Sequence, residues 1–255
     1  LTLRGIEVVV GSNTIDNNII RNLTTASTVA GTANTTAICA LVMRSGTAPS
    51  TVTNNKIYSL KLTTTSTTTG TQITGIYWAP ASSGTNLLAR NFIHSFDVAY
   101  TTTTSTAATF TGVDNGVGVS TIQNNMIRLG VNDAGASVTT PLVMRGFSIG
   151  TTSATNLFHN SVYIGGTGVT ATVSANHTAA FNRSATSGTL VLRNNIFANA
   201  RTNAASGQTN KHYVMRMGTA TTGADFDYND YYASAGNDNS FALNNVTAVT
   251  SYSSG

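Results

Sequence analysis

Apolar residues recur along this chain in fixed pairs, each pair straddling an asparagine. The asparagines are Asn18, Asn55, Asn91, Asn125, Asn160, Asn194 and Asn229, spaced by 37, 36, 34, 35, 34 and 35 residues. Three positions before each stands Ile15, Val52, Leu88, Ile122, Leu157, Val191 or Phe226. Two positions after each stands Ile20, Ile57, Ile93, Ile127, Val162, Ile196 or Tyr231. A period in this range is the signature of a stack of like units, none of which can bury its apolar face alone.

Each unit predicts three short strands. In one, Gln72-Ile73-Thr74-Gly75-Ile76-Tyr77 alternates in β fashion, a Ser/Gly/Pro-rich turn follows, Leu87-Leu88-Ala89 forms a second strand, and Phe92-Ile93-His94 forms a third beyond a bend at Arg90-Asn91. No stretch carries apolar residues at helical spacing for two turns, and β-branched residues dominate. Strands flanking so tight a bend cannot pair with each other and must pair with their equivalents above and below. The expected fold is therefore all-β: a right-handed parallel β-helix of about seven coils of ~35 residues, one domain over residues 1–255, rising ~4.8 Å per coil. The asparagine is expected to take the left-handed conformation that the bend requires. Its amide is expected to form a ladder, donating to the next coil and accepting from the last.

Composition narrows the setting. Hydrophobic residues make up 40% of the chain and charged residues only 9%, against the usual quarter or so. Ten Arg and three Lys against nine acids give a net charge of +4, spread without a basic run, which argues against a nucleic-acid footprint. A lone Cys39 excludes a disulfide framework. No apolar stretch approaches the ~20 residues of a membrane span. The chain opens in mid-pattern and lacks the polar caps solenoids use, so it is expected to be a segment of a larger protein.

The asparagine bend between second and third strands resembles that of the pectate-lyase-like β-helix. The runs Leu157-Phe158-His159-Asn160-Ser161-Val162-Tyr163, Ala180-Phe181-Asn182-Arg183, Arg193-Asn194-Asn195-Ile196-Phe197, Lys211-His212-Tyr213 and Asp227-Tyr228-Asn229-Asp230-Tyr231-Tyr232 resemble closing coils of large secreted β-helix proteins of the Bacteroidetes type. Such proteins are usually exported by type IX secretion and flanked by further domains. The resemblance implies a secreted or surface location, and it does not imply an enzyme.

Candidate chemistry is sparse. Glycoside hydrolysis needs two carboxylates within roughly 5–10 Å. Glu7 and Asp114 share a register but stand three coils apart, and Asp16, Asp97, Asp133 and Asp238 fall elsewhere. Asp225, Asp227 and Asp230 could hold a cation, or could simply form a polar strand end. His94, His159, His177 and His212 show no metal-ligand spacing, and no nucleophile elbow or phosphate loop occurs. No cofactor is expected.

Three residues past each anchor stand Arg21, Tyr58, His94, Arg128, Tyr163, Phe197 and Tyr232, a candidate ligand surface if exposed and a covered seam if the Thr-rich connections fold over it. Arg44, Arg145, Arg183 and Arg216 suggest a looser row able to bind an acidic polysaccharide, or merely solvated strand ends. Thr63 to Thr69 and Thr101 to Thr104 raise ice binding, but these runs lie in variable connections and not in ranks.

The function expected from these features is a non-enzymatic, extracellular rod or filament segment with adhesin-like display, whose partners would be glycans or neighbouring copies. A polysaccharide-binding or -degrading module is the alternative.

Overall fold

The computed structural model describes residues 1–44, 46–64, 70–99, 108–151, 153–170, 176–185, 187–205, 210–217, 224–235 and 239–240. Among them the chain is a β-solenoid, and its one helical element is the single 3-10 turn Ala33–Thr35. No helix among them is long and apolar enough to cross a membrane.

The strands sort into stacked sheets by their place in the coil. A long sheet holds Leu3–Val8, Ile38–Arg44, Gln72–Ala79, Thr109–Asn115, Val143–Ile149, Thr178–Arg183, His212–Met217 and Asn239–Ser240, in chain order. A second sheet runs from Thr14–Asp16 to Ala224–Asp227, and a third from Ile19–Arg21 to Asp230–Ala233, with seven strands each. Every pairing within these sheets is parallel and joins a strand to its equivalent one coil on, for example Leu88 to Ile122 and Ile93 to Ile127. One apolar core runs through the coils, filled by Trp78, Phe96, Phe110, Phe147, Phe181 and Phe197. Trp78 satisfies its indole by donating to Ser120 Oγ at 2.9 Å.

The asparagine ladder is present, with one member reassigned. It runs through Asn18, Asn55, Asn91, Asn125, Asn160, Asn195 and Asn229, so Asn195 and not Asn194 is the sixth rung. At each step one Oδ1 accepts two bonds from the coil before. Asn125, for instance, accepts the backbone N–H and the Nδ2 of Asn91, both at 3.0 Å. The second Nδ2 hydrogen goes to a strand carbonyl of the preceding coil, as from Asn125 to Leu88 at 2.9 Å and from Asn195 to Leu157 at 2.9 Å. With the register moved by one, the inward pair of that coil is Leu192 and Phe197, both fully buried. Ile196 stands 48% exposed, which excludes it from the core position expected of it.

The left-handed residue is also not the anchor. Asn17, Asn54, Arg90, Asn124, His159, Asn194 and Tyr228, each one position earlier, have φ between 53° and 57°. The work of the bend is thereby divided. The earlier residue turns the chain with its side chain outward, and the anchor is free to point its amide inward.

Two further features depart from three alternating strands per coil. A fourth, short sheet joins Thr24–Thr25, Leu60–Leu62 and Phe96–Val98 in the first three coils. Asn22, Ser59 and Ser95, all at positive φ, turn the chain into it. In the long sheet the pairing steps over Gly5, Ala40, Gly75, Gly112 and Gly146. Alternation slips there, so Ala40, Leu41 and Met43 join the core while Cys39 and Val42 join a separate cluster with Tyr77 and Ala79.

Candidate functional site

The strongest surface candidate is the outward face of the third sheet. Parallel register places Arg21 beside Tyr58, His94 beside Arg128, Arg128 beside Tyr163, Tyr163 beside Ala198, and Ala198 beside Tyr232. Phe197, expected in this column, instead faces the core 5.6 Å from the ring of Phe181, and Ala198 takes its place.

The lower part of the column is built from its own contacts. Arg21 Nη1 donates to the Tyr58 hydroxyl at 3.1 Å, and Lys56 Nζ sits 5.0 Å from the Tyr58 ring centroid. The Tyr58 and His94 rings stack at 5.0 Å with only 4° between their planes. Parallel stacking along the axis consumes the ring faces, so Tyr58 and His94 present edges to solvent and not the open platforms a sugar would stack on. Burial, with Arg128 and Lys56 adding to it, holds the His94 imidazole below its ordinary pKa. Higher up, Tyr163 and Tyr232 are exposed.

One flank is covered by residues 131–138. The segment after the fourth coil's third strand forms a small hairpin closed by an antiparallel bridge between Val131 and Ser137. Asn132 Oδ1 accepts the N–H groups of Ala134 and Ala136, and Asp133 accepts the Ser59 hydroxyl at 2.7 Å, two coils below. Arg201 fastens its base. Fully buried, it donates to the carbonyls of Gly165 (3.1 Å), Val138 (2.7 Å) and Thr140 (3.0 Å), and desolvation draws its pKa down to about 9. The Asn-Asp-Ala-Gly turn signal could have revealed the hairpin; nothing in the sequence marks Arg201.

The arginines near the long sheet do not form a row. Arg44 pairs with Glu7 at 2.9 Å, and Arg4, also bound to Glu7, donates to Asn34 O at 2.8 Å. Arg145 is in register with Thr111 and Arg216 with Asn182, on two different outward columns. Arg183 lies in an inward column, donating to the carbonyls of Ser187 (2.8 Å) and Gly188 (2.6 Å).

The carboxylates are likewise dispersed. Glu7, Val42, Tyr77 and Asp114 share one register over consecutive coils, which separates the two acids by ~14 Å, beyond the glycosidase window. Asp114 is half-buried, and burial pushes its pKa up to about 6 despite the opposing pull of Arg145. Asp97 pairs with Lys61 at 2.9 Å, and Asp16 accepts from Thr53 at 2.6 Å and Asn54 at 2.7 Å.

Asp225 is paired with Arg193, and Asp227 shares its strand on the far side of Phe226. Asp230 stands beyond the bend in the third sheet. Among the described residues no group of three His, Cys, Asp or Glu comes together to hold a metal ion. The histidines are scattered too: His159 at a bend, His177 accepting Lys211 N–H at 3.0 Å, and His212 buried against Thr178 at 2.9 Å. Cys39 is fully buried, and desolvation pushes its thiol to about 12, so it is inert. Asp238, Thr101 to Thr104 and Thr65 to Thr69 lie outside the described residues.

Compared with protein-family models, curated proteins and solved structures, the chain matches none.

Proposed function

We propose that this chain is a non-enzymatic structural β-solenoid of the secreted, Bacteroidetes-type kind, serving as a stiff extracellular rod that displays its connecting loops. The observation that carries this reading is the uninterrupted ladder from Asn18 to Asn229, in register with parallel strands at every coil. Such a stack resists bending because each coil is hydrogen-bonded to the next on several sides at once. Arg44 and Lys61 are spent on local pairs with Glu7 and Asp97, and the Tyr58 and His94 rings on each other.

The test is a panel of acidic and neutral polysaccharides, followed by reducing-end release and by absorbance of unsaturated products. The rod reading expects no turnover on any of them. Turnover would overturn it in favour of a polysaccharide-degrading module, and saturable binding without turnover would make adhesion the function of the rod.

A further inference from the structure

Eight of the ten arginines donate at least one hydrogen bond among the described residues, to a carboxylate, a carbonyl or another side-chain oxygen. The two that donate none are Arg145 and Arg216, and they are neighbours on the outward face of the long sheet. In the coil between them, Ala179 is in register with Arg145 below and Tyr213 above, and Asn182 with Ser148 below and Arg216 above. The two arginines therefore face each other diagonally, ~10 Å apart along the axis.

Ala179 and Asn182 point outward but are only 2% and 6% exposed, and the longer side chains of Arg145, Tyr213 and Arg216 stand around them half-buried. The result is a depression with a floor of small residues and two cationic walls. Arg145 Nε is buried without an acceptor. Burial, and then the charge of Arg216, draws the Arg145 guanidinium below its ordinary pKa, with Asp114 opposing. Two like charges held together on a half-buried face cost stability unless an anion lies between them. Lower on the same face Arg4 and Arg44 are already bound to Glu7, so the unmatched guanidinium charge of this sheet gathers at one place.

We propose that Arg145 and Arg216 hold one tetrahedral oxyanion between them, a sulfate or phosphate group, free or as an ester, above Ala179 and Asn182. A guanidinium fork donates two parallel hydrogen bonds. A carboxylate has two oxygens and is filled by one fork, whereas a tetrahedral oxyanion offers a pair to each of two forks arriving from opposite corners. Ser148 and Asn182, whose side chains make no hydrogen bond among the described residues, add a hydroxyl and an amide N–H as donors. A nucleic acid or other polyanion would need such pairs repeated along the rod, and a single pair admits a single group. The inference rests on the rod reading only in that the site binds this group without converting it.

Titration calorimetry at pH 8 and fixed ionic strength reads the site, with inorganic sulfate, inorganic phosphate, a sugar 6-sulfate, a sugar 6-phosphate and acetate as probes. One sulfate or phosphate group should bind per chain, and acetate about tenfold more weakly. An ester that binds more tightly than its free anion names a larger molecule as the source, and equal binding names the free ion. Arg145→Met and Arg216→Met should each weaken binding about tenfold, the scale of a lost charge-assisted hydrogen bond. Asp114→Asn removes the acid that draws on Arg145, ionised at this pH because its own pKa is about 6, and should tighten binding severalfold. That gain cannot come from a misfolded variant, so it tests the site even if an arginine variant fails to fold. No saturable binding of any probe, acetate binding as tightly as sulfate, or a loss in Arg21→Met equal to that in Arg145→Met overturns the proposal. Absence of binding leaves the rod reading standing, whereas release of sulfate or phosphate from an ester overturns the rod reading and leaves the site.

Discussion

Two neighbouring residues at each bend carry different loads, and the Asn194-Asn195 pair is where they can be told apart. Asn195 Oδ1 accepts the backbone N–H of Asn160 at 2.9 Å and its Nδ2 at 3.0 Å, inside the protein. Removing that side chain orphans a buried backbone donor as well as an amide, each costing about 1–3 kcal/mol. Asn194 holds only a left-handed φ of 56°. Its replacement by Ala costs the ~1 kcal/mol by which a Cβ disfavours that region, and Gly costs less. Asn195→Ala should therefore lower stability in urea titrations by several kcal/mol, Asn194→Ala by about 1, and Asn194→Gly by less. Equal effects at the two positions would restore Asn194 as the anchor. The same pair shows what limits a sequence reading. Seven asparagines stood in one column, but two adjacent ones fit the sixth slot equally well. The φ of a bend residue leaves no compositional mark when Asn, Arg, His and Tyr all occupy it.

At the scale of the element, the second and third strands were legible because each has one inward residue and a fixed distance to the anchor. The long sheet was less so. Its strands are covered on both sides, with Cys39, Val42, Tyr77 and Ala79 clustered outside the main core against Ala33, so hydrophobicity alone does not tell inside from outside. The skipped residue at Gly75 and Gly112 shifts the alternation as well. That outer cover has a cost that can be measured at Asp114, in register with Tyr77 and pushed by burial from 3.8 up to about 6. In the unfolded chain this carboxyl ionises near its ordinary value, while in the folded chain it stays protonated until about pH 6. Its contribution is thus complete below pH 3.8 and is lost as pH rises through 6, amounting to at most about 3 kcal/mol. Asp114→Asn should leave stability unchanged near pH 3.5 and raise it at pH 8. Denaturant midpoints at the two pH values check this, and an equal shift at both would assign the effect to packing rather than to charge.

At the scale of the whole molecule, stability is a sum over coils and the contacts between consecutive coils, because no coil reaches far beyond its neighbours. The exceptions gather on the segment after the fourth coil's third strand, where Asp133 reaches Ser59 two coils below and the buried Arg201 reaches the Val138 and Thr140 carbonyls from the sixth coil. Such a stack should accept loss of one complete period and reject loss of half. Deleting residues 56–91 joins Asn55 to Phe92, a step equivalent to Asn91–Phe92, and brings Ile38–Arg44 against Thr109–Asn115 with apolar residues Ile38 and Leu41 beside Phe110 and Val113. The ladder would close directly from Asn55 to Asn125, since the removed Asn91 donates and accepts in the same geometry on both sides. Deleting only residues 56–73 would instead break the period and set inward residues against outward ones throughout the remaining coils. The full-period deletion should keep a cooperative transition, lower the denaturant m-value by roughly one-seventh in proportion to buried surface, and shorten the rod by ~4.8 Å in solution scattering. The half-period deletion should not fold. If the full-period deletion also failed, coupling would extend over several coils, and the rod would behave as one indivisible core rather than as a stack.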